Sequence, residues 1–209
     1  MEKMSFFKNA DYDLPDLNED IFRLIRENSR VLDVGCASGK LAERLKKEKN
    51  CFVVGIEFDS ALSEKALSKC DKFIRADVST LKELPFAKDF FDYIVFADVL
   101  EHLINPDEVL RRFRDYLADS GFVLLSIPNI AYWQIRLRLL FGNFNYDHPL
   151  LDGGHFRFFT LSSSRRLLEE CGYKVVFLTN RNTHIKLLGK IWKSLFAFQF
   201  IIQVQKDKL

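Results

Sequence analysis

Three groups of residues in this chain have the types and the spacing to do chemistry. The first is Val31-Leu-Asp-Val-Gly35-Cys-Ala-Ser-Gly39-Lys40, an apolar run that ends in a glycine-containing turn before an amphipathic stretch. Gly35 permits positive φ, and a turn poor in Cβ atoms lets a ligand approach the backbone at the helix N-terminus. The second is Glu57, 22 residues beyond Gly35 at the end of the next apolar run. An acidic side chain there can accept hydrogen bonds from both hydroxyls of a ribose. Turn and carboxylate together predict an adenosine-type cofactor. The third group is Asp98-x-x-Glu101-His102, which sets acid, acid and imidazole within one turn, with His155 further along.

Three cofactor classes compete for the turn. A dinucleotide fingerprint needs small residues at positions 37 and 40; Ala37 is compatible and Lys40 is not. A phosphate-cradling loop needs four residues between its glycines and Ser or Thr after the lysine, whereas three residues separate Gly35 from Gly39 and Leu41 follows Lys40. A ligand without pyrophosphate remains, and S-adenosylmethionine is one. Its amino-acid end needs no phosphate cradle, and Asp33 can hold its ammonium group directly or through water.

These groups must be positioned by the elements around them. A helix is expected over Asp16–Glu27, then strands and helices alternate: strand Arg30–Cys36, helix Lys40–Glu48, strand Phe52–Phe58, a helix from Asp59 or Ser60 to Lys69, and strands Lys72–Val78 and Phe91–Phe96. Asn105 caps the clearest helix, with Pro106 in its first turn, a stripe of Val109, Leu110, Phe113, Tyr116 and Leu117, and Gly121 after its end. Strand Phe122–Ile127 stops at Pro128; a helix Thr160–Gly172 and a strand Tyr173–Leu178 follow. Ile185–Phe196 reads as a helix, and Ala197–Gln205 as a strand with one wet face. Near-continuous apolar strands alternating with helices predict a Rossmann-like, doubly wound α/β fold: a mostly parallel, seven-stranded sheet with an insertion after strand five.

With 209 residues, 48% hydrophobic and 29% charged, the chain can bury one full core, which excludes disordered and low-complexity classes. It reads as one domain: a helical segment 1–29, a cofactor-binding core 30–129, a lid-like insertion 130–159, and C-terminal helices and strands 160–209. The net charge of +2 hides an asymmetry. Through Asn129 there are 19 Lys and Arg against 24 Asp and Glu; from Ile130 onward there are 12 against 5. The basic part predicts an anionic acceptor, or an anionic surface presenting it. Cys36, Cys51, Cys70 and Cys171 show no paired spacing, and the first residues hold no secretory h-region, so reduced thiols in a cytoplasmic protein are expected. No stretch reads as membrane-spanning, and nothing signals nucleic acid.

The successive motifs V-L-D-V-G-C-A-S-G-K, G-I-E-F-D, R-A-D-V and F-D-Y-I-V-F-A-D-V-L-E-H-L resemble those of class I S-adenosylmethionine-dependent methyltransferases, especially the type 11/12 group. The resemblance runs from about Val31 to Val176. It implies that Asp33, Gly35, Cys36, Ala37 and Gly39 surround the methionine part of the cofactor. It further implies that Glu57 binds the ribose, Phe58 packs on the adenine, and Asp77 with the Val78 amide reads the adenine edge. Ala97 and Asp98 would border the transferable methyl. The family has glycine where this chain has Ala37. A narrower resemblance, over Ser126–Leu140 and the H-x-R-F-F-T of His155–Thr160, is to the methionine-biosynthesis W protein and to methyltransferases of surface-glycan synthesis.

The Asp98-x-x-Glu101-His102 group with His155 is similar to the E-x-x-E-H and distant His of small-RNA 2′-O-methyltransferases and ubiquinone O-methyltransferases. The resemblance implies a divalent metal held by Asp98, Glu101, His102 and His155, with Asp98 one methylene shorter than the family's Glu. His155 or His102 acting as a metal-free base, or a polar turn with neither role, are the alternatives. The expected activity is O-methylation of a small molecule, sugar, or glycan- or lipid-linked acceptor. A cofactor-binding regulatory or partner protein without turnover competes with it. Within the insertion, Trp133, Leu137, Leu140 and Phe141 share one helical face, read as a lid over the acceptor or as packing on the sheet edge. The lysine-bearing stretch Ile185–Phe196 fits packing on the sheet or peripheral membrane contact.

Overall fold

The computed structural model describes residues 18–146, 148–181 and 192–207. Seven strands form one sheet: β1 (Arg30–Val34), β2 (Phe52–Glu57), β3 (Lys72–Arg75), β4 (Phe91–Ala97), β5 (Leu117–Pro128), β6 (Tyr173–Arg181) and β7 (Gln199–Lys206). Their order is β3-β2-β1-β4-β5-β7-β6. The first five neighbours pair in parallel, while β7 runs antiparallel to both β5 and β6. The helices are α1 (Glu19–Leu24), α2 (Lys40–Lys49), α3 (Ser60–Leu67), α4 (Pro106–Arg114), α5 (Trp133–Leu140) and α6 (Leu161–Glu170). The stretch 182–191, which carries most of the expected lysine-bearing helix, lies outside the described residues, as do residues 1–17.

The pleat divides each apolar strand between two cores. Leu32, Val34, Val54 and Ile56 pack with Val109, Leu110 and Phe113 of α4 and Leu168 of α6. On the other face, Val31, Val53, Tyr93, Val95, Leu124 and Ile201 meet Ile21 and Phe22 of α1 and Leu41 and Leu45 of α2. Both faces are therefore covered, as the near-continuous apolar strands require.

Three expectations are corrected. The helix after Asn105 ends at Arg114, and Leu117 belongs to β5, opposite Phe91 of β4. An apolar stripe of that length fits either period, and pairing with β4 decides it. Asn105 makes no side-chain cap bond; its amide donates to Glu108 instead. β7 has no wet face. It lies between β5 and β6, and Gln199, Phe200, Ile201, Ile202 and Val204 are all buried.

The insertion after β5 is tied at its neck. Asn129 is fully buried and bridges to Phe159, so residues 30 positions apart begin and end the excursion side by side. The Asn129 amide nitrogen donates to the carbonyls of Ser194 (3.1 Å) and Ala197 (2.7 Å), and its oxygen accepts from the Ala131 amide (3.0 Å). Replacing Asn129 with Ala strands three backbone groups. It should lower stability by about 2–3 kcal/mol, measured as a lower urea midpoint with unchanged slope.

Candidate functional site

The site lies at the carboxyl ends of β1, β2, β4 and β5, where parallel strands deliver their following turns to one edge. After Val34 the chain reverses through three left-handed residues, Gly35 (φ 69°), Ala37 (φ 47°) and Gly39 (φ 74°), before α2 begins. The amides of Gly35 and Cys36 both donate to the Ile56 carbonyl, which fastens the turn to β2. A Cβ on Gly35 would stand 2.8 Å from a Val99 methyl, so this position has neither the space nor the φ for a side chain. Ala37 adopts the left-handed conformation despite its Cβ, a cost of about 1 kcal/mol that a glycine would avoid.

Two buried carboxylates flank this turn. Asp33, on β1, is 3% exposed, and Glu57, at the end of β2, is 7% exposed. Glu57 accepts from the amides of Ala37 (3.0 Å) on one oxygen, and of Phe58 (2.9 Å) and Asp59 (3.0 Å) on the other. Asp33 is pushed up to about 7, first by burial and then by the negative charge of Glu57. Phe58 stands 67% exposed beside them. Past the end of β3, Asp77 accepts the amide (2.8 Å) and hydroxyl (2.6 Å) of Ser79 on one oxygen, and Val78 is half-buried next to it. Cys36 uses its amide on Ile56, its carbonyl on Gly39 and its thiol on Cys70. Spacing alone could not pair Cys36 with Cys70; both sulfurs lie over Gly55, at 2.8 and 2.6 Å from where its Cβ would be.

At the end of β4, Ala97 leads into Asp98, which is itself left-handed (φ 55°). The protein packed around Asp98 raises its carboxyl to about 6, while its open side remains accessible. Its carboxylate accepts from the Gln199 side chain. Gln199 is the site residue that the sequence reading missed. Its signal was a glutamine at the head of a strand, and the wet-face reading sent it to solvent.

The turn Leu100–His102 then buries Glu101 to 1% exposure, with no hydrogen-bond partner among the described residues on either carboxylate oxygen. Burial, and then Asp98, hold that carboxyl well above the usual range. Its backbone carbonyl accepts from Phe156 (2.8 Å) and Arg157 (3.0 Å), which draws the end of the insertion onto this turn. His155 arrives with it, its ring centroid 4.8 Å from that of His102. One ligand atom from each of Glu101, His102 and His155 lies within 4.8 Å of the others, and Asp98 stands outside this group, on Gln199. His102 Nδ1 is 3.0 Å from the Gly154 carbonyl, which can only accept, so Nδ1 is the donor in this contact. Burial, with His102 nearby, holds His155 below the usual imidazole value.

A family model described as a methyltransferase domain matches residues 6–178, and the chain belongs to that family. Among curated relatives, it is 33% identical over 109 residues to the mitochondrial ubiquinone biosynthesis O-methyltransferase of Saccharomyces cerevisiae, covering 50% of this chain and 35% of the relative. It is 28% identical over 141 residues to the (S)-coclaurine N-methyltransferase of Thalictrum flavum subsp. glaucum, covering 61% and 37%. The chain thus spans little more than a third of the length of these relatives. In fold it is similar to a SAM-dependent methyltransferase of Methanosarcina mazei, with a TM-score of 0.65, 19% identity, and coverage of 93% of this chain and 100% of that one.

The raised pKa of Asp33 makes stability depend on pH. The folded chain keeps this proton up to about pH 7, whereas the unfolded chain loses it near 3.8. Between those values the folded state binds more protons, so stability falls as pH rises, with no further change from this group above about pH 7. Asp33→Asn should therefore raise the melting temperature at about pH 8, by a free energy on the order of a few kcal/mol, and change it little near pH 4.

Proposed function

We propose that this chain transfers the methyl group of S-adenosylmethionine to an oxygen of a small-molecule, sugar, or glycan- or lipid-linked acceptor. The observation that carries the reading is the convergence of Asp33 and Glu57 on the left-handed turn. Two buried carboxylates meet where a ligand bearing an ammonium, a sulfonium and a ribose would sit. Asp33 would take the ammonium, and Glu57 would exchange the Ala37 amide for the ribose hydroxyls. Phe58 would cover the adenine, Asp77 with the Val78 amide would meet its edge, and Ala97 and Asp98 would be the residues beside the methyl. The residues fit the cofactor, which supplies an already activated leaving group.

The protein then has to align the acceptor and take its proton. When bound, the cofactor would supply a methyl group whose sulfur leaves with the bonding pair, and His155 would take the proton of the acceptor hydroxyl that receives that methyl. A neutral imidazole at pH 7 suits that step. The oxygen chemistry in the name of the yeast relative supports this acceptor atom, and the nitrogen chemistry in that of the plant relative is the competing outcome.

A second reading, that a divalent cation takes part, is favoured by one specific observation. Glu101 has two buried oxygens without partners beside two imidazoles, and a cation would satisfy them. Glu101, His102 and His155 would hold it, and the donor set suits Zn²⁺, Mn²⁺ or Mg²⁺. Such an ion lowers the pKa of a bound hydroxyl. With a cation in place, His155 is a ligand and the proton leaves by another route.

Calorimetric titration with S-adenosylhomocysteine should show binding that Glu57→Ala weakens about 10–100-fold. Persistent absence of product from labelled cofactor with sugar, lipid and RNA extracts, alongside tight cofactor binding, would favour the partner-protein reading. Once an acceptor is found, His155→Ala should lower kcat about 100-fold or more while leaving S-adenosylhomocysteine affinity within a few-fold. Loss of activity in EDTA with recovery on adding Mg²⁺, Mn²⁺ or Zn²⁺ assigns His155 as a ligand; full activity in EDTA assigns it as the base.

A further inference from the structure

Helix α5 is turned inside out for a surface helix. Ile135 is fully buried against Leu150 and Leu151, while the opposite stripe, Leu137, Leu140 and Phe141, is 45%, 76% and 75% exposed. An ordinary amphipathic helix buries its apolar stripe. The apolar face continues beyond the helix through Phe144, whose ring lies 5.8 Å from Tyr146 and 6.2 Å from Phe158. Phe158 is 6.3 Å from His155, so the path of rings reaches the histidine pair of the site.

Among the described residues, the charges of the insertion are mostly basic. Arg136 is exposed on the flank of the stripe, Arg138 is half-buried, and Arg157 is exposed where its guanidinium donates to the Ile104 carbonyl. Among the described residues of the insertion, Asp152 is the one carboxylate, and it accepts from the amide of Gly154 in its own loop. Leucine and aromatic side chains flanked by Arg136, in a mostly basic insertion, match a surface that is apolar inside and anionic at its rim. A second copy of this chain meeting it face to face is a poorer match, because among the described residues it brings the same arginines against themselves.

We propose that this face of the insertion seats on an anionic lipid bilayer, with Leu137, Leu140 and Phe141 at the acyl boundary and the arginines among the headgroups. No described helix is long and apolar enough to cross a membrane, so the contact is peripheral. The inference stands apart from the methyl-transfer reading, and either can fail without the other.

The test is co-sedimentation of the full chain with vesicles of phosphatidylcholine alone and of phosphatidylcholine mixed with phosphatidylglycerol. Partition into the mixed vesicles should be at least about tenfold stronger, and should weaken with added salt. A Leu140→Glu, Phe141→Glu double variant should lose about tenfold or more, and Arg136→Gln about fivefold, with unchanged melting temperatures because all three positions are exposed. Leu67→Glu, at an exposed leucine on α3, should bind as the parent does. Equal partition into neutral vesicles, no partition, or full binding by the double variant would overturn the proposal. So would a dimer in sedimentation equilibrium that the double variant abolishes while vesicle binding is absent.

Discussion

Two carboxylates, Asp33 and Glu57, are buried on neighbouring parallel strands, and the rest of the structure is arranged to make that tolerable. Burying like charges close together is costly unless a proton or a cation intervenes. Without ligand, the proton stays on Asp33 to about pH 7, and Glu57 is held by three backbone amides. One of those amides, Ala37, is available only because the turn from Gly35 to Gly39 bends through the left-handed region. Gly55, opposite Asp33 in the sheet, has no room for a side chain beneath the Cys36 and Cys70 sulfurs. The arrangement costs stability, and a cation-bearing ligand would offset that cost.

The part of this arrangement that is local in sequence was legible there. The glycine turn, the acidic residue ending the next strand and the alternation of strands with helices each depend on neighbours a few residues away. Their physical signals, φ freedom and apolar period, survive in a string of letters. What depends on pairing between distant segments was not legible. Leu117 reads as the continuation of a helical stripe until β4 is seen to take it. Gln199 reads as a solvent-facing residue until β7 is found between two strands, where it reaches Asp98. Glu101 reads as one acid among several, and only the fold shows its two oxygens without partners.

The insertion shows the same limit from the other side. Its apolar stripe was visible in the spacing of Trp133, Leu137, Leu140 and Phe141, yet periodicity says only that residues share a face, and Trp133 packs with the buried cluster instead. Which way the face turns is decided by Ile135, which packs on Leu150 and Leu151 and sends the longer stripe outward. The charge asymmetry acquires a location as well. The acidic part supplies the strands that bury Asp33 and Glu57, and the basic part supplies the arginines around the outward face and beside His155.

The central claim is that Asp33 is a neutral acid waiting for a cation. It is tested most directly by calorimetry of S-adenosylhomocysteine binding near pH 6 in two buffers of different ionisation enthalpy. The predicted result is release of close to one proton per ligand bound, as Asp33 ionises against the ammonium group, and loss of that release in Asp33→Asn. Binding with no proton release, or release that persists in Asp33→Asn, would contradict it.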